Sequence, residues 1–326
     1  MGKEKLKISI TRLAGQRGLD KSIKYYVSSI KYRMVNLSII ILNYKTKDLT
    51  TNCIRSLVKQ YTKELEGEKL EAIIVDNASS DDSVKSIKYY VSSIKYNSIR
   101  IIENRENVGF AKGCNIGAKN ARGKYLLFLN SDTEVLDGGF LRMVKFLDEN
   151  EHVGILGGKL LNKDGSPQPS CGKFYNLFNL FLMLMGFERF GILRTSSNKM
   201  QKVDWVSGGC MMIKKSFFEK LNMFDEKFFM YIEDMELCYR AKRLGLLTYF
   251  YPNVKVLHKT LGSSNRAFAI INIYKGLLHF YSKHKNGLQY LIAKLMLIIK
   301  ARGVIFWGLV VNDKALVNTY TRAVRF

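Results

Sequence analysis

Residues 125–134 read Tyr-Leu-Leu-Phe-Leu-Asn-Ser-Asp-Thr-Glu. A short apolar run stops abruptly at Asn130, Ser131 and Asp132. A strand that is apolar on both faces belongs inside a sheet covered on both sides. In such sheets ligands bind beyond the carboxyl ends of the strands. The stretch therefore predicts a central strand together with a polar rim at its end. A turn draws on the same Asn, Ser and Asp, so these residues alone assign no chemistry.

Three upstream segments repeat the pattern. Residues 37–42 (LSIIIL) lead into Asn43 and Tyr44, residues 70–75 into Asp76 and Asn77, and residues 99–102 into Asn104 and Asn107. Helical periodicity separates them over 49–58, 81–96 and 110–121, the first through Leu49, Cys53, Ile54 and Leu57. Alternation of this kind predicts an α/β fold with a mostly parallel sheet. Four strands then deliver polar groups to one edge, which marks that edge as a binding rim.

The chain has 326 residues and a formal net charge of +24, with 47% hydrophobic residues, enough for a substantial core. Charge collects at the ends, with nine Lys/Arg against two acids in 1–33 and ten against one in 266–326. Basic ends point to a polyanion, either nucleic acid or an anionic membrane face. The second end mixes its cations with Leu, Ile, Phe and Trp307, which favours the membrane. No zinc finger, RNA-binding sheet motif or basic repeat supports nucleic acid. The five cysteines form no Cys-x-x-Cys pair, as expected of reduced thiols in the cytoplasm. No apolar leader opens the chain, and no uninterrupted apolar stretch reaches a membrane-spanning length.

Residues 21–32 and 85–96 carry the same twelve-residue sequence, KSIKYYVSSIKY. The second copy aligns Val84, Ile87, Val91 and Ile94 on one helical face, after Ser79, Ser80 and Asp81 as candidate N-caps. It reads as integral to the fold, and residues 1–33 read as a dispensable extension. The expected organisation is a basic extension over 1–33, a catalytic domain over 34–265, and a basic, apolar helical region over 266–326.

Neither a phosphate-binding Gly-x-x-x-x-Gly-Lys-Ser/Thr loop nor a dinucleotide fingerprint is present. The densest chemistry lies at 231–240, YIEDMELCYR, where Glu233, Asp234 and Glu236 follow an aromatic run. Carboxylates beside apolar walls suit general-base work, although acidic residues also favour any helix start. A helix from Glu233, closed near Gly245, sets Asp234 in its first turn. There the helix dipole pulls its pKa down and burial pushes it up.

Taken in order, SIIILNYKT, IIVDNASSDDS, NVGFAKGCNIGA, LFLNSDTEV, WVSGGCMMIKKSFFEKLNMFDEKFF, YIEDMELCYR and VLHKTLGSS resemble the inverting glycosyltransferases of family 2, rhamnosyltransferase-like branch. The resemblance implies a GT-A fold and a nucleotide-diphosphate sugar donor, with dTDP-rhamnose as a candidate. It also implies a glycan or lipid-linked acceptor in cell-surface polysaccharide synthesis, at the inner face of the cytoplasmic membrane. By the resemblance Asp76 reads the donor's base, Asn43 and Tyr44 share its pocket, and Asn107, Gly109 and Asn115 belong to the donor loop. Asn130 and Asp132 stand where the family has Asp-x-Asp. The Asn replaces the first Asp and leaves Asp132 as main ligand of a divalent cation, Mg²⁺ or Mn²⁺. His258 resembles a late metal ligand, although an isolated His at a strand end is more often structural. Trp205, Gly208, Gly209 and Glu233 fall on the acceptor side, and Asp234 matches the catalytic base. Two other classes stay open: a non-catalytic basic binding protein, and a sugar nucleotidyltransferase.

Overall fold

The computed structural model describes residues 35–259 and 265–325. The extension over 1–33, the first repeat copy and residues 260–264 of the last motif lie outside them.

Ten strands build one mixed sheet: Leu37–Asn43 (β1), Leu70–Asp76 (β2), Ile99–Glu103 (β3), Tyr125–Asn130 (β4), Thr133–Val135 (β5), Val153–Leu161 (β6), Pro167–Gln168 (β7), Gln201–Val203 (β8), Cys210–Lys214 (β9) and Leu247–His258 (β10). The order is β8-β10-β6-β9-β4-β1-β2-β3, with β5 on β10 and β7 on β6. The four early strands are parallel, as their uniform apolar character predicts. β9 runs antiparallel to both β4 and β6. That reversal brings the start of β9 beside the end of β4, with Cys210 opposite Leu129.

Helices Lys47–Glu66 (α1), Ser83–Ile94 (α2), Gly109–Asn120 (α3) and Phe140–Glu149 (α4) alternate with the strands. α1, α2 and α4 cover one face of the sheet, closing a core around Ile39, Leu57, Leu127 and Phe140. The second copy of the repeat forms most of α2 and buries Ile87, while Val91 and Ile94 pack at the core's edge. Asp82 occupies the N-cap, one residue beyond the expected candidates; the Asp81 carboxylate still accepts from the Ser83 N–H at 3.2 Å.

The other face is covered by α3 and by the later helices Leu177–Leu184 (α5), Lys215–Lys220 (α6), Glu233–Arg243 (α7), Arg266–His284 (α8), Gly287–Val310 (α9) and Lys314–Ala323 (α10). α8 buries Leu277, Phe280 and Tyr281 in the same core as Phe128 of β4. The C-terminal helices thus pack onto the sheet domain. A small second sheet joins Cys171–Gly172, Arg194–Thr195 and Trp205–Val206. All five cysteines are buried and free. Among the described residues no helix is long and apolar enough to cross a membrane.

Candidate functional site

β1 and β2 are in register from Leu37/Leu70 to Asn43/Asp76, so their terminal polar residues meet. Asn43 is fully buried and donates through Nδ2 to Asp76 Oδ1 at 2.6 Å. Its Oδ1 accepts from Thr46 at 2.9 Å and Thr50 at 2.7 Å. The other Asp76 oxygen accepts from the Ser79 N–H at 2.9 Å. Asn43 and Asp76 thus form a closed buried network at the strand ends.

The neighbouring cavity, about 350 Å³, is lined by Tyr44, Asn77, Asn107, Gly109, Phe110 and Asp132, among others. Asn77 is its hub. Its Nδ2 donates to Asn107 Oδ1 at 2.7 Å, and its Oδ1 accepts from Asn104 at 3.0 Å and from the Val108 N–H at 3.2 Å. Gly109 sits at φ +83°, and a side chain there would strike the Phe229 backbone and ring. That close approach lets the Phe110 N–H donate to the Phe229 carbonyl at 2.6 Å and pins the loop over the cavity. Asn115 is turned elsewhere: its amide exchanges hydrogen bonds with the Phe224 backbone and also donates to Glu226 Oε1.

A second cavity of about 320 Å³ shares Phe110, Asn130, Asp132 and Met230 with the first. It is also lined by Trp205, Gly208, Gly209, Glu233, Asp234 and His258. His258 arrives through the β5–β10 pairing, where it stands opposite Thr133. Its Nε2 lies 3.3 Å from Asp132 Oδ1 and 3.1 Å from Asn130 Nδ2. Asp132 and its neighbour Asn130 thus stand between the two cavities, with His258 against both.

A chain of hydrogen bonds sets the tautomer of His258. The Asp164 carboxylate can only accept, and it takes the Ser166 hydroxyl proton at 2.6 Å. Ser166 Oγ then accepts from Asn162 Nδ2 at 2.8 Å, and Asn162 Oδ1 accepts from Gln168 Nε2 at 2.7 Å. The same Gln168 Nε2 reaches the His258 carbonyl at 2.7 Å. Gln168 Oε1 is left to face His258 Nδ1 at 2.8 Å, so Nδ1 carries the proton. Nε2 is then the ring nitrogen left to face Asn130 Nδ2 and Asp132 Oδ1. One carboxylate oxygen and one imidazole nitrogen in this arrangement suit Mg²⁺ or Mn²⁺. Among the described residues no group of three or more His, Cys, Asp or Glu suits a metal. A cation held by Asp132 and His258 would complete its shell from neighbouring oxygens, substrate or water.

α7 starts from a strained turn. Tyr231 and Ile232 have φ of 71° and 74°, an outlier for a β-branched residue. Gly276 of α8 lies against this turn, and a Cβ there would come within 3.1 Å of Ile232 Cβ and of the Tyr231 carbonyl. The turn aims Asp234 at the cavity, where Oδ2 accepts from the Gly208 N–H at 3.0 Å and Oδ1 from its neighbour Met235 N–H at 2.7 Å. Burial pushes the Asp234 carboxyl up, and these backbone donors and the Arg194 charge offset only part of the rise. Burial therefore outweighs the helix dipole. Glu233, 5% exposed, is pushed well above the ordinary range by burial and then by the Asp234 charge. One of its oxygens, Oε2, has no hydrogen-bond partner.

Glu236 points the other way. Burial pushes it up, but His284, Arg240 and Lys283 all donate to it and hold it down at about 2. It ties α7 to the end of α8. Tyr175 and Arg194 also line the second cavity, with the Arg194 guanidinium 5.4 Å over the Trp205 ring. Sequence reasoning placed Asn77 on the rim without giving it a role, and it missed Gln168, Tyr175 and Arg194, which carry no local signal. A larger cavity of about 540 Å³, lined by Lys173, Lys202 and Lys242 among others, holds none of the candidate residues.

Known proteins resemble this chain in sequence and in fold. The model of the Glycosyl transferase family 2 matches residues 38–222. Agl10 of Haloferax volcanii, a low-salt glycan biosynthesis hexosyltransferase, is 30% identical over 217 residues, 64% of this chain and 62% of that protein. The chain thus spans under two thirds of that relative's length. The N-acetylglucosaminyl-diphospho-decaprenol L-rhamnosyltransferase of Mycobacterium tuberculosis is 23% identical over 216 residues, 60% of this chain and 69% of that one. In structure, the mannosyltransferase PcManGT of Pyrobaculum calidifontis, solved with GDP-Man and Mn²⁺, superimposes with a TM-score of 0.54 at 15% identity, over 92% of this chain and 91% of that one. GalNAc-T7, solved with UDP, GalNAc and Mn²⁺, gives 0.57 at 18% identity, over 76% of this chain and 50% of that one. The fold is GT-A, and the chain belongs to glycosyltransferase family 2.

Proposed function

We propose that this family 2 protein transfers a sugar, with inversion, from a nucleotide diphosphate to a glycan or lipid-linked acceptor. The observation that carries the reading is a pair of cavities meeting at Asn130 and Asp132, with Asp234 lining the second. The first cavity takes the nucleotide and the second takes the acceptor. Tyr44, Asn77 and Asn107 line the nucleotide side. The buried Asn43–Asp76 pair fixes the strand ends beneath the base.

Asp234 accepts the proton of the acceptor hydroxyl. A carboxyl raised by burial is a stronger base than an exposed one. The hydroxyl oxygen then bonds to the anomeric carbon as the bond from that carbon to the diphosphate oxygen breaks, and the electron pair leaves with the diphosphate. Attack from the opposite face inverts the centre through an oxocarbenium-like state. Glu233, kept protonated by burial and by its neighbour, leaves Asp234 as the ionised member of the pair. Asp132 and His258 would hold a divalent cation, which supplies positive charge to the departing diphosphate. In this reading residues 34–265 carry the reaction, 1–33 are dispensable, and the protein works at the inner face of the cytoplasmic membrane.

A panel of nucleotide sugars, tested with lipid-linked and free glycan acceptors, checks this. Release of nucleoside diphosphate with an anomeric configuration opposite to the donor's is expected. Pyrophosphate release would point to nucleotidyl transfer, and a retained configuration would exclude Asp234 as a simple base.

A further inference from the structure

α9 wears its apolar side outward. Leu288, Leu291, Leu295, Ile299, Phe306 and Leu309 recur at helical spacing, and all are exposed, Ile299 and Phe306 at 69% each. Its inward stripe is smaller: Ala293, Leu297, Ala301 and Gly308. A helix packed on a water-soluble domain shows the reverse, with large apolar residues inside and polar ones outside. α5 repeats the inversion on a shorter scale. Phe178, Phe181 and Met185 are exposed, while Leu180 and Leu184 are buried. The two helices pack together, and Phe181, Leu184, Met185, Ile299 and Trp307 line a shared groove of about 480 Å³. The 3₁₀ turn Phe187–Phe190 continues the patch with Phe187 and Phe190 exposed and the Arg189 guanidinium 4.8 Å over the Phe190 ring.

Soluble monomers rarely expose an apolar surface of this extent. The charge around it selects the partner. Between residues 266 and 326 ten cations face one acid. On the elements themselves, α9 carries Lys294, Lys300 and Arg302 and no acid, with Lys300 lining the groove, and the 3₁₀ turn carries Arg189 against Glu188. An apolar face set among cations fits an anionic bilayer surface, with rings and leucines below the headgroups and cations among them.

We infer that α5, the 3₁₀ turn and α9 form one surface that seats on an anionic membrane. The surface is composite. α9 supplies the long stripe, while α5 and the turn, a hundred residues earlier in the chain, supply the aromatic edge beside the acceptor cavity. Met183 and Glu188 of this edge line that cavity, and Phe181 and Met185 line the lipid-facing groove. One element is thus wall to both spaces. If the site transfers sugar as proposed, the edge brings an acceptor's polar head to Asp234 while its lipid stays in the bilayer.

The full chain is needed for the test, because α8 holds Glu236 and the turn before Glu233. Sedimentation with phosphatidylglycerol and phosphatidylcholine vesicles measures binding, and brominated lipids report on Trp307, which is 60% exposed on this face. The inference expects salt-sensitive binding to the anionic vesicles and quenching of Trp307. Two variants probe the two parts separately: Phe178→Ser with Phe181→Ser on α5, and Leu295→Ser with Ile299→Ser on α9. Each should weaken vesicle binding by about tenfold. Each should leave melting temperature and turnover of a water-soluble acceptor unchanged. That turnover reports on sugar transfer independently of the membrane. Unchanged binding in the α5 variant alone would overturn the composite surface. A protein that ignores both vesicle types would overturn the membrane partner, as would a dimer that the same substitutions dissolve.

Discussion

The two sides of one helix start differ more than any other pair of neighbouring regions in this protein. Glu233 and Asp234 face the cavity, and both are pushed up, chiefly by burial. Glu236, two residues on and across the helix, is also buried and yet is held at about 2. Burial alone does not decide the outcome. Glu236 meets an Arg, a Lys and a His. Asp234 meets two backbone N–H groups, and Glu233 keeps an oxygen without a partner. The cavity side is left short of positive charge and can take a proton. The α8 side is saturated and holds the helix in place.

The contrast is tested most severely at Asp234. Asp234→Asn keeps the shape and removes the base, so turnover should fall by about 10²-fold or more with donor affinity largely kept. Wild-type turnover in that variant would transfer the role to Glu233. The raised carboxyl should also set the acid limb of the wild-type pH–rate profile above the ordinary carboxylate range.

Glu236→Gln acts on stability instead. It strands the cations of Arg240 and Lys283 beside a neutral amide, and a loss of about 3 kcal/mol is expected. The folded-state pKa is depressed, so the stabilisation is present above the ordinary value of 4.5 and is lost as pH falls toward about 2. Melting temperature followed from pH 6 to 2 should therefore converge for wild type and variant at the acid end. Curves that stay parallel would show that the cluster does not depend on the Glu236 charge.

Asp132→Ala should weaken donor binding in Mn²⁺ by about tenfold or more and erase its metal dependence, as read by calorimetric titration with and without the ion. Gln168→Leu should produce a milder defect of the same kind by releasing the His258 tautomer, and nitrogen NMR of the ring would show the proton no longer confined to Nδ1. Glu233→Gln should change least. An isosteric neutral amide imitates a carboxyl that already holds its proton, so turnover should stay within about tenfold of wild type. A collapse as deep as that of Asp234→Asn would break the contrast.

The same geometry explains what the sequence could reveal. The parallel strands were legible because each is a mainly apolar run, broken only by Ser38, Glu71 and Arg100, that ends in polar residues, and both features are local. α7 was legible down to its first turn and its Gly245 stop, at φ 77°. The division of labour among its three carboxylates was not, because two of the three cationic partners of Glu236, Lys283 and His284, lie almost fifty residues away on α8. His258 could be singled out, but Gln168 sits in a two-residue strand without any periodicity and meets His258 across ninety residues. The apolar content of α9 was plain in the sequence. Its outward direction depends on which stripe the sheet domain accepts, and the small residues won that contact.

The five buried cysteines carry a further consequence. Burial holds Cys53, Cys210 and Cys238 at about 12, and Cys114 and Cys171 are also pushed up. Near neutral pH none offers a reactive thiolate to solvent. A thiol reagent therefore reacts only when the protein opens, and each site times a different event. Cys53 reports the departure of α1, Cys114 that of α3, and Cys238 that of α7. The chain carries its own clocks for the order in which it comes apart, and a single thiol introduced at the surface would be labelled against a silent background.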